Sequence, residues 1–234
     1  MWRSNCKEIQ RPAGGVIMVK SILGRKLRMT QMFTKDGKQI PLTAIAVGPC
    51  PIVQIKTPAK DGYAALQIGY GEAKAQNLTR PMAGHFANAG VKPLRVLREI
   101  RVESAEGFTV GQTLDGTFFQ EGDRVDVTGV SKGRGFQGGI RRHNWRGGRM
   151  SHGSMFHRAI GSNSPGSGQS RLFKGKTLPG HMGHERVTLQ NLEIVKVDTQ
   201  NHILYVRGGV PGPDGGLVFV KGTAKTNRKK AVAK

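Results

Sequence analysis

The sequence predicts a mainly β protein, a small barrel or sandwich that carries a long Gly/Arg-rich extension and a basic C-terminal tail. Three observations lead to this prediction. Short runs of branched and apolar residues recur at intervals of roughly 8–12 residues, as in all-β folds. One long glycine- and arginine-rich segment interrupts these runs. The final stretch, Lys221–Lys234, holds six basic residues and no acid.

The apolar runs are bounded by glycine, proline and Asp-Gly signals, which mark turns between strands. Thr199–His202 separates the last two runs and is predicted to be a hairpin turn, and Ala83–Ala89 is predicted to be a helix. The predicted strands are Ile40–Val47, Ile52–Lys56, Ala64–Gly69, Val96–Val102, Phe108–Val110, Arg124–Val127, Leu192–Val197 and Ile203–Val206.

The charge of the chain is unusual in size and in distribution. There are 37 lysines and arginines against 15 acids, a net charge of +22 and a pI of about 10.8. Sixteen of these net charges lie in the tail and in the segment from Ser131 to Arg186, whose one acid is Glu185. Such an excess repels itself unless a polyanion neutralises it. Nucleic acid is the predicted partner, with an anionic membrane surface as the alternative.

Cysteine and hydropathy patterns exclude several other classes. Cys6 and Cys50 are too few for a disulfide scaffold and lack metal-ligand spacing. No run approaches the ~18–20 apolar residues that span a bilayer, and the N-terminus lacks the apolar region of a secretory signal. We therefore predict a cytoplasmic protein with no membrane partner, no cofactor and no small-molecule substrate.

The basic segment differs from the strands in composition. Gly133–His184 holds thirteen glycines and five of the seven histidines, with almost no apolar periodicity. Four aromatic residues, Phe136, Trp145, Phe156 and Phe173, lie among the cations, which suits phosphate contact and base stacking. The alternative is a solvated, disordered loop, although four large aromatics are more than a flexible linker usually carries.

Other chemistries in this segment are not predicted. Gly133–Gly138 matches G-x-G-x-x-G, but no amphipathic helix follows and no acid lies between Asp126 and Glu185 to bind a ribose. The histidines have one carboxylate and no cysteine nearby, and the surrounding positive charge opposes a metal cation. Ser151 and Ser154 lack a nearby orienting acid. The sequence therefore predicts neither a metal site nor catalytic residues, and the protein is not expected to be an enzyme.

A series of motifs in fixed order resembles the universal large-subunit ribosomal protein three family in its bacterial form. The match extends from about Gly24 to Lys221 and includes GRKLRMTQMF at 24–33 and DVTGVSKGRGF at 126–136. The other matching blocks are Asp36–Gly37, Ile40–Pro41, Ser151–Gly153, His157–Arg158, Gly161–Ser162, Phe173–Lys176, Gly180–Gly183, Arg186–Asn191 and Val210–Gly212.

The resemblance implies a Greek-key-like β-barrel of the translation-protein type, formed by residues 18–132 and 186–220 together. It also implies that residues 133–185 (the extension) thread through rRNA towards the peptidyl transferase region. The protein would be a structural constituent of the large subunit that binds large-subunit rRNA early in assembly, beside neighbouring ribosomal proteins. Residues 221–234 would lie on RNA as a basic arm, or remain a disordered tail.

Two positions depart from the family pattern. Arg28 stands where the family usually has glycine, so the first turn is expected to differ. Some bacterial members carry a methylated glutamine after the motif at 161–162, but ungapped alignment places Ser167 there, so the modification is not carried over. Residues 1–17 precede the resemblance and show neither strand nor helix pattern. Because Gly14–Val16 can be encoded by a purine-rich ribosome-binding sequence, we expect a non-native or disordered leader, with Met18 as the natural start.

Within and beside the extension, basic residues are predicted to neutralise phosphates, histidines to contact phosphates or bases, and Trp145 and Phe156 to stack on bases. The predicted RNA-binding residues are Lys132, Arg134, Arg141, Arg142, His143, Trp145, Arg146, Arg149, His152, Phe156, His157, Arg158, Arg171, Lys174, Lys176, His181 and Arg186. The alternatives from other classes are an RNA-modifying or RNA-cleaving enzyme and a general nucleoid-type DNA binder.

We predict that the isolated protein has folded strands and a mobile extension that becomes ordered against RNA. The extension has little apolar surface to offset a backbone ordering cost of ~1–2 kcal/mol per residue. The segment from Ser131 to Arg186 also carries ten net positive charges, which repel one another when they are not neutralised. Amide hydrogen exchange on the free protein measures this. Strong protection throughout Arg141–Gly180 without RNA would contradict the prediction.

Overall fold

The computed structural model describes residues 20–34, 36–102, 105–163 and 171–223. The strands are β1 Ser21–Phe33, β2 Gln39–Val47, β3 Cys50–Lys56, β4 Ala65–Glu72, β5 Leu94–Arg101, β6 Thr113–Leu114, β7 Arg124–Val130, β8 Gly135–Gln137, β9 Gly180–Met182, β10 Arg186–Asp198, β11 Ile203–Arg207 and β12 Leu217–Gly222; the helices are α1 Pro58–Asp61, α2 Arg80–Ala89 and α3 Gly139–His143. The expected leader and most of the basic tail lie outside the described residues.

Six strands form a closed antiparallel barrel in the order β1-β12-β7-β10-β11-β2, with β2 paired again to β1. The barrel closes because the long strand β1 pairs with β12 along one edge and with β2 along the other. Ser21 is paired with Lys221 of β12, and Gly24 is paired with Val47 of β2. A closed barrel has no free strand edge to recruit another chain. The predicted mainly β fold with a small barrel is confirmed.

Alternating apolar residues of the barrel strands fill its interior. On β7, Val125 and Val127 are fully buried, whereas the alternate residues Asp126 and Thr128 are more exposed. This alternation follows from the two-residue period of side chains along a strand. The fully buried core residues of the barrel include Ile22, Leu23, Ile45, Ile194, Leu204, Val206 and Val220.

A second antiparallel sheet, in the order β5-β4-β3-β6, packs beside the barrel. Its residues Ile52, Leu66 and Ile68 belong to the same buried cluster as the barrel interior. Helix α2 covers the sheet through Phe86, which is 2% exposed and packs with Val53 and Leu94. The predicted helix at 83–89 is confirmed within α2.

The sequence prediction was wrong for Phe108–Val110, which is not a strand. The backbone turns at Gly111, whose φ is +86°, and the short strand β6 follows at Thr113. A glycine in the left-handed region favours a turn over a continued strand. The predicted hairpin turn at 199–202 is confirmed, since Asp198 and Ile203 are paired across it.

Two barrel strands, β1 and β12, were not predicted. In β1 the alternation is obscured by cations, and the register with β2 shifts between Lys26 and Met29. A bulge of this kind inserts a residue and breaks the two-residue period. Arg28, where the family usually has glycine, lies within β1 at this bulge.

Lys26 is a buried cation of β1 and is 7% exposed. Its ammonium donates hydrogen bonds to the carbonyl oxygens of Val210 and Gly212, both at 3.0 Å, and lies 3.9 Å from the carboxylate of Asp214. A buried charge is tolerated when hydrogen bonds replace its lost water. Lys26 therefore fixes the loop between β11 and β12 against the barrel.

Cys50, at the start of β3, is a second buried residue with an ionisable side chain, after Lys26. Burial raises the pKa of its thiol to about 11, and the thiol lies 3.5 Å from the carbonyl oxygen of Leu23. Because the thiolate is the nucleophilic form, a thiol that stays protonated at neutral pH is chemically inert. Cys50 is thus a core residue.

We predict that Lys26→Met destabilises the protein, because the carbonyl groups of Val210 and Gly212 lose their buried donor. Leaving buried acceptors unsatisfied costs roughly 1–3 kcal/mol, which corresponds to a fall in Tm of roughly 2–12 °C for a chain of this size. Thermal unfolding followed by circular dichroism measures the shift. Lys38→Met, at an exposed lysine, is the matched control and should leave Tm unchanged. Equal shifts in the two variants would contradict this assignment.

Candidate nucleic-acid interface

The extension leaves and re-enters the barrel between two paired strands. Val130 at the end of β7 is paired with Arg186 at the start of β10. The next residues continue the pairing, because the Ser131 amide donates to the Glu185 carbonyl oxygen at 2.9 Å, and the Glu185 amide donates to the Ser131 hydroxyl at 3.1 Å. Both ends of the extension are therefore held side by side on a rigid element.

A short two-stranded sheet forms the root of the extension. Strands β8 and β9 are antiparallel, with Phe136 opposite His181, and the Arg134 amide donates to the Met182 carbonyl oxygen at 2.9 Å. The outgoing and returning chains touch at Gly183, where a Cβ atom would lie 2.2 Å from the Lys132 carbonyl oxygen. Glycine is required there by this close approach.

Helix α3 follows β8 and turns two of its side chains back to the returning chain. The Arg142 guanidinium donates to the Leu178 carbonyl oxygen at 2.7 Å, and the His143 imidazole Nε2 lies 3.1 Å from the same oxygen. Arg141, the preceding residue, is exposed. Adjacent arginines on one helical turn thus have different surroundings.

Trp145 packs on the start of α3. A Cβ atom on Gly139 would lie 2.1 Å from the Trp145 ring, and the ring is 6.3 Å from the His143 imidazole in a stacked arrangement. The indole is half-buried, so one face of this predicted stacking residue is covered by the protein itself.

Beyond Trp145 the chain makes a further turn closed by backbone contacts. The Gly148 amide donates to the His157 carbonyl oxygen at 3.1 Å, and the His157 Nδ1 lies 2.9 Å from the Arg149 carbonyl oxygen. Phe156 is 44% exposed and Met155 is 98% exposed at this turn. Apolar side chains are thereby presented to solvent among cations.

Most of the predicted RNA-binding residues are solvent-exposed. Arg142, His143 and Trp145 are half-buried by the contacts described above. The exposed ones are Lys132, Arg134, Arg141, Arg146, Arg149, His152, Phe156, His157, Arg158, Arg171, Lys174, Lys176, His181 and Arg186.

Several cations of the barrel are paired with carboxylates, unlike the predicted RNA-binding cations in the part of the chain that the structure describes. On the barrel, Glu193 pairs with both Arg124 and Arg207, and Lys20 pairs with Asp123. Within the described ranges, none of the predicted RNA-binding cations lies within ion-pairing distance of a carboxylate. Their charge is available to an external polyanion.

The sequence did not indicate that several of these residues share a pocket. A pocket of about 660 Å³ at the root of the extension is lined by Arg134, Arg142, His143 and His181, together with Lys26 of the barrel. Lys26 lies more than 100 positions away in the sequence, so only the fold brings it here. No sequence signal distinguished Lys26, because it stands among the other cations of β1, Arg25 and Arg28.

Metal-ligand clusters and membrane-spanning helices are both absent from the described part of the chain. Across residues 20–34, 36–102, 105–163 and 171–223, there is no group of three or more His, Cys, Asp or Glu side chains arranged to hold a metal ion. No helix in the same ranges is long and apolar enough to cross a membrane. Residues 164–170, which include the position of the glutamine modification, lie outside the described residues.

We predict that Gly139→Ala displaces the Trp145 indole, because the added methyl group would overlap the ring. Inserting a methyl group into a packed contact costs roughly 1–3 kcal/mol. With Trp2 replaced by phenylalanine, Trp145 is the one remaining tryptophan and its emission should move to longer wavelength. Gly138→Ala is the matched control, because a Cβ atom there meets no atom within 4 Å. Identical spectra for the two variants would contradict the packing.

Comparison with known proteins supplies the family. The model of the family described as Ribosomal protein L3 matches residues 99–203. The large ribosomal subunit protein uL3 of Pelotomaculum thermopropionicum is 54% identical over 208 residues, covering 89% of this chain and 99% of that protein. The uL3 proteins of Carboxydothermus hydrogenoformans and Petrotoga mobilis are 52% identical over 208 residues and 50% identical over 212 residues, covering 89% and 91% of this chain and 99% of each relative.

Identity of this level over nearly the whole length of the relatives confirms the resemblance carried by the motifs at 24–33 and 126–136. Members of the family are structural ribosomal proteins, so the chain is not an enzyme, as the sequence predicted. The chain belongs to the bacterial uL3 family of large-subunit ribosomal proteins.

Proposed function

We propose that this large-subunit protein binds large-subunit rRNA early in assembly and directs residues 133–185 inward, towards the peptidyl transferase region. The observation that supports the proposal best is the concentration of exposed cations, none paired with a carboxylate within the described ranges, on a narrow extension. Phosphate neutralisation by such cations, with counterion release, is the dominant source of affinity for nucleic acid.

The geometry of the extension suits a deep approach to folded RNA. Both of its ends are held at the β7–β10 pair, so its two chains run out and back together. Fifty-three residues that go out and return reach at most ~90 Å at ~3.3 Å per residue. Helix α3 and the turn at 148–157 shorten this reach but give the extension regular local structure. In this proposal the barrel stays at the subunit surface as a rigid base.

Within this proposal, the side chains have separate roles. The exposed arginines and lysines contact phosphates, and the imidazoles of His152, His157 and His181 donate to phosphates or stack on bases. Phe156 stacks on an exposed base through its free surface, and Trp145 through the face that Gly139 does not cover. Glycines at the contact points allow RNA to approach the backbone closely.

Ribosome association also defines the remaining partners and the compartment in this proposal. The protein acts in the cytoplasm beside neighbouring large-subunit proteins, without a membrane partner, a cofactor or a small-molecule substrate. The basic stretch at 221–234 adds a second contact with rRNA. Residues 18–132 and 186–220 act as the barrel domain that anchors these contacts.

We predict that affinity for a large-subunit rRNA fragment falls steeply with salt and that the extension causes much of this dependence. For ~6–10 phosphate contacts at ~0.7 each, the slope of log K against log salt is about −4 to −7. Replacing Arg141, Arg142, Arg146 and Arg149 by alanine should flatten the slope by up to ~3 units. Filter binding or fluorescence anisotropy at several salt concentrations measures it.

The matched control removes four exposed cations of the second sheet and its connections, Lys60, Lys74, Arg80 and Lys92. Because this variant loses the same net charge, it separates phosphate contact from the general field of the protein. Its slope should stay close to that of the unmodified chain. An unchanged slope in the extension variant, or equal flattening in both, would show that these arginines do not face phosphate.

A further inference from the structure

The pocket at the root of the extension combines residues from two parts of the chain. Arg134, Arg142, His143 and His181 come from the extension, and Lys26 comes from barrel strand β1. Its volume is about 660 Å³, within the range of ~300–1,000 Å³ that is usual for small-ligand sites. We refer to it as the root pocket.

Contacts within the protein itself hold the cationic wall of the root pocket in this structure. Arg142 is fixed by its hydrogen bond to the Leu178 carbonyl oxygen, and a Cβ atom on Gly180 would lie 2.7 Å from its guanidinium. The backbone of His181 is paired with Phe136 in the β8–β9 ladder. Groups that are already ordered lose less conformational entropy on binding, which favours a specific contact over a diffuse one.

The rest of the lining is not simply cationic. Glu185, Met182 and Val210 also face the pocket. A carboxylate repels a bare anion, but it accepts hydrogen bonds from a ribose hydroxyl or from the N–H groups of a base. Apolar surface from Met182 and Val210 suits the flat body of a base. The lining therefore offers a partner to the phosphate, the ribose and the base of a nucleotide.

We propose that the root pocket binds one unpaired nucleotide of rRNA, with its phosphate against Arg142 and His181 and its ribose or base against Glu185 and Met182. This inference rests on the proposed rRNA binding and adds a site with a defined occupant to it. Proteins read RNA chiefly at unstacked nucleotides, which single-stranded loops and bulges supply. The pocket fixes the register of the extension on the RNA, whereas the exposed cations add affinity.

Arg141 and Arg142 offer a matched pair for the test. They are neighbours in α3, but only Arg142 lines the pocket and Arg141 is exposed. Arg142→Gln removes the charge and keeps a polar but shorter side chain with an N–H donor. Arg141→Gln removes the same charge outside the pocket. Large subunits reconstituted with each full-length variant are probed by acylation of the rRNA 2′-hydroxyl groups.

The expected result is a severalfold rise in the reactivity of one unpaired nucleotide with Arg142→Gln, and no such change with Arg141→Gln. Unchanged reactivity with Arg142→Gln, or the same change with both variants, would overturn the root-pocket site. The rRNA binding proposed above would remain intact in either case, because it is measured by the salt dependence. Loss of salt-dependent rRNA binding by the unmodified chain would instead remove the proposed function itself.

A second measurement covers the case in which Arg142→Gln does not enter the subunit. Imidazole signals of the free full-length protein are followed by NMR during titration with adenosine 5′-monophosphate, cytidine 5′-monophosphate or inorganic phosphate. The nucleotides should shift the signals of His143 and His181 at several-fold lower concentration than phosphate does, and Arg142→Gln should abolish that difference. Equal responses to nucleotide and phosphate in the unmodified protein would overturn the proposal.

Discussion

The antiparallel pairing of β7 with β10 is the contact on which the rest of the structure depends. It sets Val130 opposite Arg186, so the extension starts and ends at adjacent positions of one closed barrel. Without that pairing, the ordering cost of a 53-residue excursion would include the closure of a long loop. With it, the barrel core provides the stability, and the extension is free to hold residues that contribute little to a core.

Because the barrel core provides the stability, the extension can carry much of the net positive charge. Several surface cations of the barrel are paired with acids, as Arg124 and Arg207 are with Glu193. In the described part of the extension, the predicted RNA-binding cations have no such partners, so folding leaves their electrostatic repulsion in place for a polyanion to relieve. Lys26 stands at the border of the two regions, with its charge met by the carbonyl oxygens of Val210 and Gly212.

The sequence by itself determined the properties that depend on composition and short-range pattern. Short runs of branched and apolar residues between turn signals predicted most barrel strands, because a buried strand needs apolar residues within a few consecutive positions. The density of arginine and glycine identified the extension, because charge and backbone freedom belong to each residue wherever it folds. The order of the motifs at 24–33 and 126–136 was enough to indicate the family.

The tertiary structure decided everything that depends on residues far apart in sequence. Strand β1 was missed because a bulge after Lys26 breaks its period, and the turn at Gly111 replaced a predicted strand. The three-residue strands β8 and β9 are too short to show any period, and their pairing spans more than 40 residues. Sequence analysis assigned the same role to Arg141 and Arg142, yet only Arg142 donates a hydrogen bond to the Leu178 carbonyl oxygen. Such contacts are set by the register of distant strands, which no local pattern contains.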